Sequence, residues 1–363
     1  MSETPSRRVL VLAHTGRADA IAAALQATAM LAEEGLDTVM LAEDVAAILE
    51  SGTDAVGFRP LTLGRDCTLD DVQLGLVLGG DGSVLRAADF VRGHGIPLVA
   101  VNLGHVGFLA ESERTDLHRT VKAIADGAYV VIERMALDVT VRVEGREVAR
   151  TWALNEASVE KSNRERMLEV VVSVDDSPLT SFGCDGVVLA SPTGSTAYAF
   201  SAGGPVVWPG VEALLCVPIS AHALFSRPLV VGPHSTVSVD VLTRTRETGV
   251  LWCDGRRTVE LPPRARIEVT RSAEPVRLAR LRPTPFAERL VRKFRLPTEG
   301  WRGPVTEVDR RTSPLAEVET VEPRHAAPRP DVVPPPSEPL AVLSPEALAR
   351  YRDRDGREGD RTS

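Results

Sequence analysis

The chain has 363 residues, with 42 basic and 50 acidic side chains, a net charge of −8 and only 4% aromatics. That length is enough for two domains with separate cores. The negative balance disfavours a nucleic-acid or anionic-membrane partner, and scarce aromatics argue against binding single strands by base stacking.

Arg8 to Ala13 (RVLVLA) is short and rich in Val and Leu, which predicts a buried parallel strand. It is also too short for a membrane span or the apolar part of a secretion signal. His14-Thr15-Gly16-Arg17 reads as a loop, Ala18 to Glu34 as an Ala-rich helix, and Gly35 as its stop. Thr38–Leu41, Leu74–Leu78 and Pro97–Val101 read as further strands, and Val84–Val91 as a helix. Strand and helix alternate, so residues 1–132 are expected to form an α/β domain with a mostly parallel sheet. In such sheets ligands bind at the carboxyl ends of strands.

From about Glu133 to Arg271 the pattern changes to short β-rich runs between turns, among them Ala136–Val143, Glu169–Val174, Gly186–Ala190 and Val237–Leu242. Residues 133–271 are therefore expected to be a second, β-rich domain. Residues 272–303 would pack back on the core, with a helix near Ala287–Arg295. Ten of the 26 prolines fall after Gly303, so 304–363 reads as a disordered tail with one short helix near Pro345–Tyr351. The four cysteines show no CxxC pair, which speaks against structural zinc and a disulfide framework. A reducing cytoplasm is the simplest compartment.

Three strings carry chemistry. Gly79-Gly80-Asp81-Gly82-Ser83 follows a strand and opens a helix. Its glycines allow a sharp turn and close approach of a ligand to the backbone, and a helix N-terminus favours an anion. A carboxylate in such a cradle repels phosphate unless it binds a metal or takes a proton, so Asp81 points to phosphoryl transfer. The spacing is neither that of a P-loop nor G-x-G-x-x-G. Asn155-Glu156, after an apolar run, offers an amide and a carboxylate that could hydrogen-bond a base or a sugar. The third string runs from Asp185 through Pro192-Thr193-Gly194-Ser195-Thr196 to Tyr198, and its hydroxyls and N–H groups suggest an anion-accepting concavity. No G-x-S-x-G elbow supports a serine hydrolase. Asp254-Gly255-Arg256-Arg257 reads simply as a β-hairpin turn.

Taken together these strings resemble the bacterial NAD kinases, specifically the actinobacterial kind. The likeness rests on His14–Arg17, Gly79–Ser83, Asn102–Glu111 (NLGHVGFLAE), Asn155-Glu156, Cys184–Val206 and Phe294–Gly303. It implies an NAD kinase/diacylglycerol kinase-like fold, and phosphorylation of the adenosine ribose 2′-hydroxyl of NAD with ATP, and in some members polyphosphate. It also implies a divalent cation such as Mg²⁺ and a homodimer or homotetramer. Asp81 would be the proton acceptor. Gly82, Asn155, Glu156, Asp185 and the run Thr196, Ala197, Tyr198, Ala199, Phe200, Ser201 would line the dinucleotide pocket, with Arg86 and Arg166 offsetting phosphate charge. Arg256 stands where many relatives carry Gln, so no adenine contact is assigned there. The alternatives are a lipid kinase sharing GGDG and a catalytically silent NAD-binding sensor.

Overall fold

The computed structural model describes residues 7–104, 107–110, 112–163, 166–242, 248–281 and 285–298. Parts of NLGHVGFLAE, the end of Phe294–Gly303 and the whole proline-rich tail with its expected helix lie outside them. Two compact units result. The second begins at Pro285, and its described element is α6 (Phe286–Phe294). Every other element belongs to the first.

The first unit opens with β1 (Arg8–Ala13), α1 (Ala18–Glu33), β2 (Asp37–Met40), α2 (Ala42–Glu50), β3 (Leu61–Thr62), β4 (Val72–Leu78), α3 (Asp81–Val91), β5 (Leu98–Asn102), β6 (Ser112–Glu113) and α4 (Leu117–Asp126). Strands β3-β2-β1-β4-β5 lie side by side and all pair in parallel. Successive residues of β1 serve opposite faces, as a pleated strand requires. Val9, Val11 and Ala13 pack with α1 and α4, while Leu10 and Leu12 pack with α3.

β7 (Val130–Arg134) leads into a sandwich built from β8 (Leu137–Val143), β9 (Arg146–Ala153), β10 (Glu156–Lys161), β11 (Leu168–Val174), β12 (Ser177–Cys184), β13 (Gly186–Ala190), the short α5 (Tyr198–Ser201), β14 (Leu214–Ile219), β15 (Leu229–Val231), β16 (Val237–Val241), β17 (Gly249–Cys253), β18 (Arg257–Leu261) and β19 (Ala265–Arg271). Two six-stranded sheets, ordered β15-β14-β13-β10-β17-β18 and β12-β11-β16-β19-β8-β9, enclose one apolar core. β20 (Val276–Arg280) then returns to the first sheet between β5 and β7.

Several elements differ from the sequence expectations. Helix α3 starts at Asp81 rather than Val84, so the carboxylate sits in its first turn, where the helix dipole favours it. Helices α2 and α4 were not anticipated. α4 carries its stripe at Leu117, Val121 and Ile124, a spacing spread too thinly among polar residues to stand out. β20 was not read as a strand either, because VRLAR mixes charges into a five-residue run.

Candidate active site

Asp81 lies at the carboxyl end of β4. Its two oxygens accept N–H groups from Phe108 and Leu109, each at 3.0 Å. Gly107 makes this possible, since a Cβ there would stand 2.2 Å from Asp81 Oδ1. The carboxylate is thus oriented by backbone donors, and each oxygen keeps lone-pair capacity for one further proton or ligand.

Glu156 begins β10 and Asn155 immediately precedes it; they are 8% and 9% exposed. What positions them is Asp254. Its carboxylate accepts N–H groups from Leu154 (2.9 Å), Asn155 (2.7 Å) and Glu156 (3.3 Å), and Arg257 Nη2 donates to it at 2.9 Å. Arg257 also pairs with Asp89 of α3 and stacks on Trp152 at 4.5 Å. A line of contacts therefore runs from the Asp81 helix to the Asn155-Glu156 segment. The hairpin expected at Asp254-Gly255 is present, but the tight-turn reading missed this second role. Burial in the low-dielectric interior raises the Glu156 carboxyl to about 8, and the neighbouring Asp254 charge adds to it. Burial likewise raises Asp254 to about 6 against its three N–H donors. The Asn155 side-chain amide has no hydrogen-bond partner among the described residues.

The loop after β13 does not work as expected. Two of the three hydroxyls expected to receive an anion are spent inside it: Ser195 donates to Pro192 O and accepts from Val207 N, and Thr196 donates to Thr193 O. Ser191 donates to Leu154 O and accepts from Gly194 N. Gly194 allows the loop to lie against the Asn155 backbone, since a Cβ would fall 2.0 Å from Asn155 O. The loop is therefore a support for Asn155.

Along β10, Ala157 and Val159 face the sandwich core, and Glu156, Ser158 and Glu160 face outward. α5 covers part of that outer face, with Ala199 buried against Val188, Ala190, Leu215 and Val217. Only the backbone of Ala199 remains for a ligand, and Gly204 N–H already occupies its carbonyl. Tyr198 N–H reaches Glu156 Oε2 at 3.4 Å. Its phenol is raised first by burial, then by the Glu160, Glu156 and Asp185 carboxylates. Tyr198 and Phe200 are 38% and 40% exposed. Asp185 sits at the opposite end of β13, ion-paired with Lys161 and lowered mainly by that bond. The pairing Glu156↔Ala190 and Glu160↔Gly186 sets Asp185, five residues along β13 from Ala190, roughly 17 Å from Glu156. The outcome is an elongated strip rather than a round pocket.

A cavity of about 360 Å³ is lined by His14, Thr15, Gly16, Gly82, Ser83, Arg86 and Arg256 among others. Arg86 also pairs with Glu43 at 2.9 Å and buried Asp44 at 3.5 Å, so part of its charge is already met. Arg256, set aside on sequence grounds, is brought to this cavity and pairs with Asp89 at 3.2 Å. Ala197 and Ser201 flank Tyr198 and Phe200 on the loop and α5. Arg166 is exposed beside residues 164–165, which lie outside the described set, and no described contact ties it to Asp81 or Glu156.

Family models match both halves of the chain: the ATP-NAD kinase N-terminal domain over residues 9–129 and the ATP-NAD kinase C-terminal domain over residues 154–281. The NAD kinase of Thermobifida fusca is 54% identical over 311 residues, covering 85% of this chain and 95% of its own. NAD kinase 2 of Streptomyces avermitilis is 55% identical, covering 84% and 99%. A yeast NADH kinase solved in complex with NADH shares the fold, with a TM-score of 0.72 at 21% identity over 82% of this chain and 90% of its own. An NAD kinase from Archaeoglobus fulgidus in complex with ATP gives a TM-score of 0.60, also at 21% identity, over 80% and 98%.

Proposed function

The chain belongs to the NAD kinase family and is an NAD kinase, and on that premise we propose how its own residues carry the reaction. The adenosine ribose 2′-hydroxyl of NAD attacks the terminal phosphorus of ATP. An O–P bond forms, the bond to the ADP oxygen breaks, and the hydroxyl proton passes to Asp81. The observation that carries this is the Asp81 carboxylate at the start of α3, held by Phe108 and Leu109 N–H with lone pairs to spare. Phosphoryl transfer asks chiefly for alignment and charge stabilisation. A positioned base supplies about 10²- to 10⁴-fold.

Asn155 and Glu156 hold the adenosine half, the uncommitted Asn155 amide facing a base or ribose edge. The strip past Tyr198 and Phe200 to Asp185 suits the length of a dinucleotide. Gly82, Arg86 and Arg256 receive phosphates, with ATP as donor and polyphosphate as a further substrate. Arg166 joins them on the grounds of family resemblance alone. Magnesium bound to the nucleotide phosphates would screen their charge, a common mode needing few protein carboxylates. Among the described residues no group of three His, Cys, Asp or Glu side chains gathers to hold a metal, and Asp81 is the carboxylate that fits beside one.

Residues 1–132 and 133–271 act as the two lobes of the site, and 272–281 ties the second lobe back through β20. A homo-oligomer fits the exposed apolar side chains Trp208, Val211, Leu224, Phe225 and Val230. The cytoplasm fits four free, buried cysteines. No described helix is long and apolar enough to cross a membrane.

Asp81→Asn tests the reading. It keeps the fold and NAD binding, and NADP formation falls at least about a hundredfold. Near-normal turnover removes Asp81 from the role of base.

A further inference from the structure

Asp89 lies eight residues along α3 from Asp81, about 12 Å by helix rise. Its two oxygens are divided between two arginines of the second lobe. Oδ2 accepts from Arg256 Nε at 3.2 Å, and Oδ1 pairs with Arg257 Nη1. Both arginines follow the Asp254-Gly255 turn, yet they serve different places. Arg256 lines the cavity of about 360 Å³ together with Gly82, Ser83 and Arg86 of α3. Arg257 turns inward, donating from Nη2 to Asp254 Oδ2 at 2.9 Å and to Trp152 O at 2.7 Å. Its Nε is buried without a partner, so Nη1 and Nη2 fix its head.

Two carboxylates, Asp89 and Asp254, thus face two guanidiniums, the pairing that partly buried charges need. The end of α3 is tied to the second lobe independently. Arg92, its C-cap, donates to Ser272 Oγ at 2.9 Å and to Asp138 Oδ1 at 3.2 Å, and lies 4.2 Å from the Trp152 ring on which Arg257 also stacks. Arg92 can therefore hold the helix without Asp89. What is peculiar to Asp89 is its bond to both Arg256 and Arg257.

We propose that Asp89 is a positioning residue for both substrates: from the Asp81 helix it sets Arg256 toward the phosphate donor and Arg257 behind the segment that receives NAD. This rests on the placement of phosphates at Arg256 and of NAD at Asn155 and Glu156. On the donor side, Asp89 engages Arg256 through Nε and leaves its two Nη groups for phosphate. An arginine side chain carries about 2 kcal/mol of rotamer entropy, so a held Arg256 has less freedom to lose when phosphate arrives. On the acceptor side, contacts run from Asp89 to Arg257, from Arg257 to Asp254, and from Asp254 to the N–H groups of Leu154, Asn155 and Glu156.

Steady-state kinetics of the full chain, with ATP and NAD varied in turn well below the melting temperature, tests the proposal. Asp89→Ala raises KM for ATP and KM for NAD about tenfold each, as loss of a charge-assisted bond does. Asp89→Glu keeps the carboxylate and restores most of both. Double-variant cycles separate the two arms. In an Arg256→Ala background, Asp89→Ala no longer changes KM for ATP but still raises KM for NAD. In an Arg257→Gln background the reverse holds; should that variant fail to fold, the Arg256→Ala cycle decides alone. A residue of purely structural importance lowers the melting temperature and leaves both KM values at the parent's. That result overturns the proposal, as does an effect of Asp89→Ala on KM for ATP that multiplies in full with that of Arg256→Ala. A parent-like KM for ATP in Arg256→Ala, together with a parent-like KM for NAD in Asp254→Asn, overturns the substrate placement itself and the proposal with it.

Discussion

Asp254→Asn separates a carboxylate that builds the site from one that merely sits in a turn. Oδ1 of Asp254 serves the Asn155 and Glu156 N–H groups, and Oδ2 serves Leu154 N–H and Arg257. Asparagine keeps the first oxygen and sets an NH₂ group against two donors. The Leu154 N–H, buried and stripped of its acceptor, costs about 1–3 kcal/mol. Arg257 retains Asp89, so its loss adds only about 1 kcal/mol. Glu156, raised to about 8, is largely protonated at pH 7, so removing the Asp254 charge relieves little repulsion there. The net expectation is about 2–4 kcal/mol of lost stability, read as a lower denaturation midpoint at pH 7 with an unchanged slope. Because the displaced backbone carries Asn155 and Glu156, KM for NAD should rise about tenfold while kcat moves less. A midpoint and a KM both equal to the parent's would show that the Leu154 N–H bond and the Arg257 contact to Oδ2 do not hold the segment.

Two further outcomes follow from the same geometry. Burial lifts Glu156 to about 8 and Asp254 to about 6, above their ordinary values near 4. The native state therefore holds protons that the unfolded chain releases, so their contribution is complete below pH 4 and is lost as pH rises toward 8. Stability should fall across pH 5–8 by a few kcal/mol, and Glu156→Gln should flatten most of that slope and exceed the parent above pH 8; a denaturation midpoint with the same pH slope in both proteins would sink this account. Gly107→Ala places a Cβ 2.2 Å from Asp81 Oδ1 and must turn the carboxylate away. A shift of about 1 Å costs on the order of a hundredfold, so kcat should drop that far with little change in melting temperature, and a parent-like kcat would mean that the 107–109 loop yields instead.

What was legible in the sequence is what a short stretch of backbone decides. The glycine turn at Gly79–Ser83, the β1 and β13 strands and the Asp254-Gly255 hairpin each depend on a few neighbouring residues, and each is present. Asp254 and Gly255 take positive φ values of 53° and 63°, as a tight hairpin turn requires. What was not legible depends on strand register. Asp254 reaches the Asn155-Glu156 backbone only because β17 pairs with β10, with Cys253 opposite Ala157, about a hundred positions away in the chain. No local signal separates a turn aspartate that faces water from one that is buried by such a pairing.

The Pro192–Thr196 loop shows the converse error. Its hydroxyls are the right groups for an anion, but Ser and Thr side chains also satisfy nearby backbone, and here Ser195 and Thr196 do the second. The two uses are exclusive for a given rotamer, and burial decides between them. A fully buried Ser195 has no route to a ligand, so its contribution passes through the backbone it shapes. The loop is fixed against Asn155 O by Gly194 and against Leu154 O by Ser191. The same two residues are gripped from the other side by Asp254. Asn155 is thus clamped between two loops, with its backbone fixed from both sides.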